Sequence, residues 1–265
     1  MNSLSYKTGK KFYDKQDYGN AIIKLTETIT LDPQNTDAYF YRGASYLKEW
    51  EFNKAIRDLN MAIKLDPKRA DAYGSRGKAY RMKGLYDQAI RDLNKAIKLD
   101  PVKATELNPE KAEAYSRRGI DRHNKEKYDQ AINDYNKAIE LGSKEAIPYE
   151  LRGNAYRAKG LYDLAINDFN KAIELDPNNA RSVYESRGDA YRMKGLYDLA
   201  IMDLNRIIES DSKMFPKEYY AYACRGLVYM ENGQKDLAIE DLEIAISINF
   251  NQQWMDWLAE AKAMK

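Results

Sequence analysis

Cysteine is almost absent from the 265-residue chain: Cys224 stands alone, so no intrachain disulfide can form, and a reducing, cytoplasmic setting is expected. Histidine is equally scarce. With only His123, neither a histidine zinc cluster nor a Ser/His/Asp triad can be assembled in the usual way. The glycines come singly, so no GxxxxGK[ST] phosphate loop exists. No apolar run approaches the length of a membrane span, and the opening MNSLSYKTGKKFYDKQ lacks the core of a secretory signal, which predicts a soluble chain. Charge of one sign is missing too. The 43 basic and 41 acidic side chains leave +2, far from the excess that bulk binding to nucleic acid or anionic membrane requires. No catalytic residues, cofactor or metal are expected.

What the chain has instead is recurrence. Arg187 to Ile201 reads RGDAYRMKGLYDLAI, and Arg76 to Ile90 repeats it with changes only at Lys78 and Gln88. Arg152 to Ile166, RGNAYRAKGLYDLAI, is a third copy. The glycine of each copy serves as a ruler: Gly9, Gly43, Gly77, Gly119, Gly153, Gly188 and Gly226 are spaced by 34, 34, 42, 34, 35 and 38 residues. An alanine follows each by twelve. The base period is therefore 34, and the chain holds seven repeats, each unable to bury its apolar face alone.

Every unit carries two apolar stripes at helical spacing, such as Tyr73, Gly77, Tyr80 and then Ala89, Leu93, Ala96, which predicts antiparallel helix pairs. Gly84, Gly160, Gly195 and Gly233 sit where the first helix should end left-handed; Gln16, Trp50 and Glu126 take that place in repeats one, two and four. Asp32-Pro33, Asp66-Pro67, Asp100-Pro101 and Asp176-Pro177 mark repeat boundaries. The ruler glycine and its following alanine predict close helix approach, with tyrosines filling the wider gaps. The repeats fall at 2–35, 36–69, 70–103, 112–145, 146–179, 181–214 and 219–252, with an insertion at 104–111 that looks like a local duplication of LDPxKA. Three blocks are expected, 2–103, 112–214 and 219–265, the second break lying at Met214 to Glu218 around Pro216.

The pattern Tyr73, Gly77, Tyr80, Gly84, Tyr86, Ala89, Ala96, Pro101 resembles the tetratricopeptide repeat family, and the resemblance extends over roughly residues 2 to 252. It implies an all-α solenoid, a right-handed superhelix of helix pairs whose first helices line a concave groove. It also implies a non-catalytic scaffold or adaptor that binds a protein or peptide. Repeat one departs with Ser5, Thr8 and Thr28, as a water-facing terminal unit would. Residues 253–265 place Trp254, Trp257 and Leu258 on one helical face, read as a capping helix; an exposed docking anchor is the alternative.

Six charge pairs recur sixteen residues apart, namely Arg42/Asp58, Arg76/Asp92, Arg118/Asp134, Arg152/Asp168, Arg187/Asp203 and Arg225/Asp241. Each member touches an apolar stripe. Charges so placed want partners, which predicts a staple between the two helices of a repeat.

Three rows flank the buried stripe of the first helices. One reads Tyr13, Leu47, Arg81, His123, Arg157, Arg192, Met230; the next reads Lys10, Ala44, Lys78, Ile120, Asn154, Asp189, Leu227; the third reads Tyr6, Phe40, Gly74, Ser116, Glu150, Glu185, Ala223. A groove built from them has apolar ends and a charged middle, suited to a peptide held by apolar anchors and charge register. Two readings of the middle stand: Arg81, Arg157 and Arg192 contact a partner, or they are satisfied by Glu150, Glu185 and Asp189. The family's carboxylate clamp for chaperone tails is not matched, since its positions hold Tyr6, Lys10, Tyr41, Asp71 and Ser75 in repeats one to three and Ser116, Ile120, Leu151, Ser182 and Ser186 in repeats four to six. Single-stranded nucleic acid along the arginine row is the alternative function, disfavoured by the charge balance. Oligomeric state is left open.

Overall fold

A computed structural model describes residues 2–142, 145–209 and 218–264. The described residues are helical almost throughout: α1 (Asn2–Asp14), α2 (Tyr18–Leu31), α3 (Thr36–Lys48), α4 (Phe52–Leu65), α5 (Ala70–Met82), α6 (Tyr86–Leu99), α7 (Ala104–His123), α8 (Tyr128–Glu140), α9 (Ile147–Ala158), α10 (Tyr162–Leu175), α11 (Arg181–Met193), α12 (Tyr197–Glu209), α13 (Glu218–Glu231), α14 (Lys235–Ile248) and α15 (Gln252–Ala263). Two short 3-10 turns, Pro101–Lys103 and Pro177–Asn179, precede α7 and α11. This is an all-α solenoid of helix pairs.

The punctuation has local causes. Asp66 ends α4, and its carboxylate accepts the Lys68 amide at 2.9 Å, closing a turn that Pro67 keeps from continuing as helix. Between the helices of a pair, Gly84, Gly160, Gly195 and Gly233 have φ of 71° to 74°. Gln16, Trp50 and Glu126 hold the same left-handed turn at φ 62°, 61° and 57°, where a Cβ costs roughly 1 kcal/mol. Replacing the exposed Gln16 by glycine is therefore expected to raise stability by about 0.5–1 kcal/mol, read as a higher urea midpoint. A lower midpoint would contradict the strain.

Two compact units form, one built on α1 to α7 and the other on α9 to α15, with α8 divided after Tyr135. The three expected blocks are thus not what the described residues show. The insertion 104–111 is no break, because it is the first part of α7, helical through Pro109. The second expected break, Met214 to Glu218, falls on residues 210–217 outside the described set and on Glu218 at the start of α13. Repeats six and seven nevertheless share one core of Ala200, Leu204, Ile207, Ala221 and Val228.

The arginine–aspartate pairs of repeats two, three, five, six and seven form and are bidentate. In the fifth repeat Arg152 Nε and Nη2 donate to Asp168 Oδ2 and Oδ1 at 2.7 and 2.6 Å, and Arg42, Arg76, Arg187 and Arg225 do likewise to Asp58, Asp92, Asp203 and Asp241. In the fourth repeat Asp134 is buried and Arg118 donates to Asp87. A third nitrogen often reaches back one repeat: Arg76, Arg187 and Arg225 donate through Nη1 to Asn60, Asn170 and Asn205 at 2.6, 2.5 and 2.5 Å. The staple thus also ties neighbouring repeats.

Repeat one differs from expectation at Thr28, which is fully buried, its hydroxyl bonded to the Lys24 carbonyl at 2.9 Å. At the other end Trp254, Leu258 and Ala261 of α15 are buried in a core shared with Ala223, Ala238, Leu242 and Ala245. Trp254 is spent on that packing.

Candidate functional site

Each unit has a cleft on its first-helix side. In the first unit α1 supplies Tyr13, α3 supplies Phe40, Ala44 and Leu47, α5 supplies Lys78, Arg81 and Met82, the α3–α4 turn adds Trp50 and the start of α4 adds Phe52. Glu106, Leu107 and Glu110 of α7 close the far wall, and the cavity measures about 480 Å³. Trp50 is 70 % exposed and meets Phe52 with ring centroids 5.9 Å apart. Its exposure follows from the backbone, because the left-handed turn aims the side chain away from the helix pair. Phe40 is instead buried, with the Arg69 guanidinium 4.2 Å from its ring centre.

The second cleft, about 540 Å³, brings together Arg157 of α9, Glu185, Asp189 and Arg192 of α11, Tyr220, Cys224 and Leu227 of α13, and Trp254 and Trp257 of α15. Burial pushes the Cys224 thiol up to about 12, with nearby Glu185 acting the same way, so it stays protonated at neutral pH. Glu185 is raised as well, by desolvation of its carboxyl against the cleft wall, while Arg181 and Arg157 pull it back; the residue as a whole stays solvent-exposed.

The basic row is paired internally. Arg81 Nε donates to Glu110 at 2.9 Å and its Nη1 lies 2.7 Å from Glu113. Arg157 meets Asp189 at 2.5 Å, and Arg192 bridges Asp189 at 2.8 Å and Glu231 at 2.6 Å. Burial opposes the charge of Arg192, yet Asp189 and Glu231 hold it above its ordinary value. Of the acids expected to satisfy this row, Asp189 does so; Glu150 instead accepts from Ser182 at 2.9 Å. Glu110, Glu113 and Glu231 were not foreseen, because each sits on the next first helix at a register that only the stack defines.

The sequence rows are thus gathered in part. Tyr13, Phe40, Leu47, Lys78 and Arg81 share the first cleft, and Arg157, Glu185, Asp189, Arg192 and Leu227 share the second. Tyr6 packs on Tyr41 at 6.3 Å between centroids, and Lys10 pairs with Asp14 at 2.7 Å, so both are engaged within the first unit. Ile120 and His123 lie half-buried on the last turns of α7 outside both cleft linings, as does Asn154 on α9. Met230 packs against the core beneath α15.

Sequence models described as tetratricopeptide repeat match residues 36–69, 70–101, 112–144 and 219–252, and one described as TPR repeat matches 153–195. The chain belongs to the tetratricopeptide repeat family. Among solved structures, the C-terminal part of a TPR repeat-containing protein from Cytophaga hutchinsonii is similar at TM-score 0.70 and 19 % identity, over 96 % of this chain and 99 % of that one. A tetratricopeptide repeat protein from Parabacteroides merdae aligns over 98 % of both chains at TM-score 0.50 and 21 % identity. The MamA protein is 29 % identical over 68 % of this chain and 94 % of its own, at TM-score 0.52. No curated protein matches.

The first two likenesses speak to the fold alone. Tetratricopeptide repeats are protein-interaction modules, typically without catalysis, and this chain is an interaction scaffold in that general sense. No helix among the described residues is long and apolar enough to cross a membrane.

Proposed function

We propose that the chain binds an extended peptide segment of a partner protein in the cleft of the first unit. The observation that carries this is the pairing of a rigid frame with an exposed anchor: side chains from α1, α3 and α5 fix the cleft walls, and Trp50 stands 70 % exposed at its mouth beside Phe52 and Met82. Tryptophan in such a place offers large contact area at small entropic cost, and the preformed walls leave ordering costs mainly to the ligand. The alternative, a single strand of nucleic acid along the arginine row, would have to break the carboxylate pairs of Arg81, Arg157 and Arg192.

The test uses a random dodecamer phage library panned on the full chain, with the selected peptides measured again on Trp50→Gly. Because residue 50 sits at φ 61°, glycine there should keep or raise the denaturation midpoint. Affinity for the selected peptides should nonetheless fall by about tenfold or more. Peptides that keep their affinity would move the site elsewhere.

A further inference from the structure

Resting on that cleft, we infer that the insertion turns the basic row of the first unit into an acidic rim, so that the partner segment is apolar and flanked by lysine or arginine, while acidic segments are rejected. The sequence isolates the element cleanly. Removing residues 104–111 joins LDPVK to AEAYSRRG, which parallels LDPKRADAYGSRG one repeat earlier and restores the 34-residue step.

In the structure those residues are the beginning of a 20-residue helix, against 13 residues in α5. Leu107 anchors it: the side chain is 2 % exposed and lies 3.5 Å from where a Cβ on Gly74 would be, so a larger residue at position 74 would crowd the leucine. Carboxylates flank that anchor, Glu106 directly before it and Glu110 and Glu113 three and six residues after it. Glu106, Glu110 and Glu113 follow i, i+4, i+7 spacing and face α5. Glu106 meets Lys78 at 3.0 Å, and Glu110 and Glu113 hold Arg81 at 2.9 and 2.7 Å.

Exposure decides what a ligand meets. The Lys78 and Arg81 side chains are 29 and 16 % exposed, whereas those of Glu106 and Glu113 are 64 and 42 % exposed. Asp71 repeats the arrangement, 48 % exposed over a Lys103 that is 28 % exposed. The bases thus lie beneath Glu106, Glu113 and Asp71, while Glu110, 25 % exposed, lies level with them. Lys48, on the opposite wall, is the exposed base of the lining. An incoming carboxylate would therefore face like charge and would have to displace a formed pair, whereas an incoming ammonium would add to the rim.

Two amidated peptides test this by calorimetry on the full chain, Lys-Lys-Phe-Leu-Lys-Lys and Glu-Glu-Phe-Leu-Glu-Glu, at moderate salt. The lysine peptide is expected to bind at least about tenfold tighter, a difference that shrinks as salt rises. Glu106→Gln combined with Glu110→Gln should bring the two affinities within about threefold, with the helical circular dichroism unchanged. Deletion of 104–111, a second variant that removes Glu106 and Glu110 and keeps Lys78, Arg81 and Lys103, should reverse the preference. Equal binding of both peptides to the unaltered chain overturns the inference, as does a double variant whose preference does not move. If both peptides bind equally and Trp50→Gly abolishes both, the cleft survives and only the charge rule falls. If neither binds, both fall.

Discussion

Arg152→Ala is expected to destabilise the fold by about 3–5 kcal/mol, because it leaves the Asp168 carboxylate buried without its bidentate partner. The two side chains are 19 and 8 % exposed, so water cannot readily replace the lost bonds. Two charge-assisted hydrogen bonds join them, and the Asp168 contact, opposed by burial, holds the Arg152 guanidinium above its ordinary value. The guanidinium also lies 5.6 and 5.9 Å from the ring centres of Tyr149 and Tyr156, a layer that alanine removes. Lysine at 152 restores charge without the planar fork and should recover only part of the loss. Arg152→Ala with Asp168→Ala should cost less than the single arginine change, since no orphaned charge remains. Denaturant midpoints with constant slope decide the matter, and a loss of only a few tenths would refute the buried-pair account.

That staple was legible in the sequence because its spacing is internal to one repeat. Sixteen residues separate the members, the same turn geometry joins the helices each time, and repetition itself filtered out chance. The back-bonds from Arg76 to Asn60, from Arg187 to Asn170 and from Arg225 to Asn205 were not legible, and their spacings of 16, 17 and 20 residues differ. They depend on where one pair settles against the previous pair, which small residues permit but do not specify.

The candidate site shows the same division. Tyr13, Phe40 and Leu47 could be placed on one side by helical phase alone, and the structure gathers them in one cleft. Trp50 was visible only as a departure from glycine, a mark of backbone tolerance that said nothing of exposure. Glu106 and Glu110 were counted as insertion, outside any row, because the period has no position for them. Once α7 is continuous, helical phase carries them onto the face opposite Lys78 and Arg81. A periodic pattern is thus informative about what repeats and blind to what its interruptions place.

Alanine at two ruler glycines is expected to change stability in opposite directions. Gly153 packs against the Phe169 ring, and a Cβ there would lie 2.7 Å from Cε1 and 2.9 Å from Cδ1. Phe169 is fully buried among Ala165, Ala172 and Ala180, so the ring cannot swing clear without disturbing its core. Gly153→Ala should therefore cost about 2–3 kcal/mol, the overpacking penalty exceeding the gain from alanine's helix preference. At Gly188 the nearest atoms to such a Cβ are the Ala200 carbonyl at 3.6 Å and Asp203 Cβ and Leu204 Cγ at 3.7 Å, which is ordinary contact. With no clash to offset, Gly188→Ala should gain up to about 1 kcal/mol from the lower backbone entropy of the unfolded chain. Both glycines occupy the same place in RGNAYRAKG and RGDAYRMKG, so the repeat pattern assigns them one role. Urea denaturation of the two variants separates them: a loss at both positions would mean that the helices approach as closely in repeat six as in repeat five, and a gain at both would mean that the Phe169 ring yields.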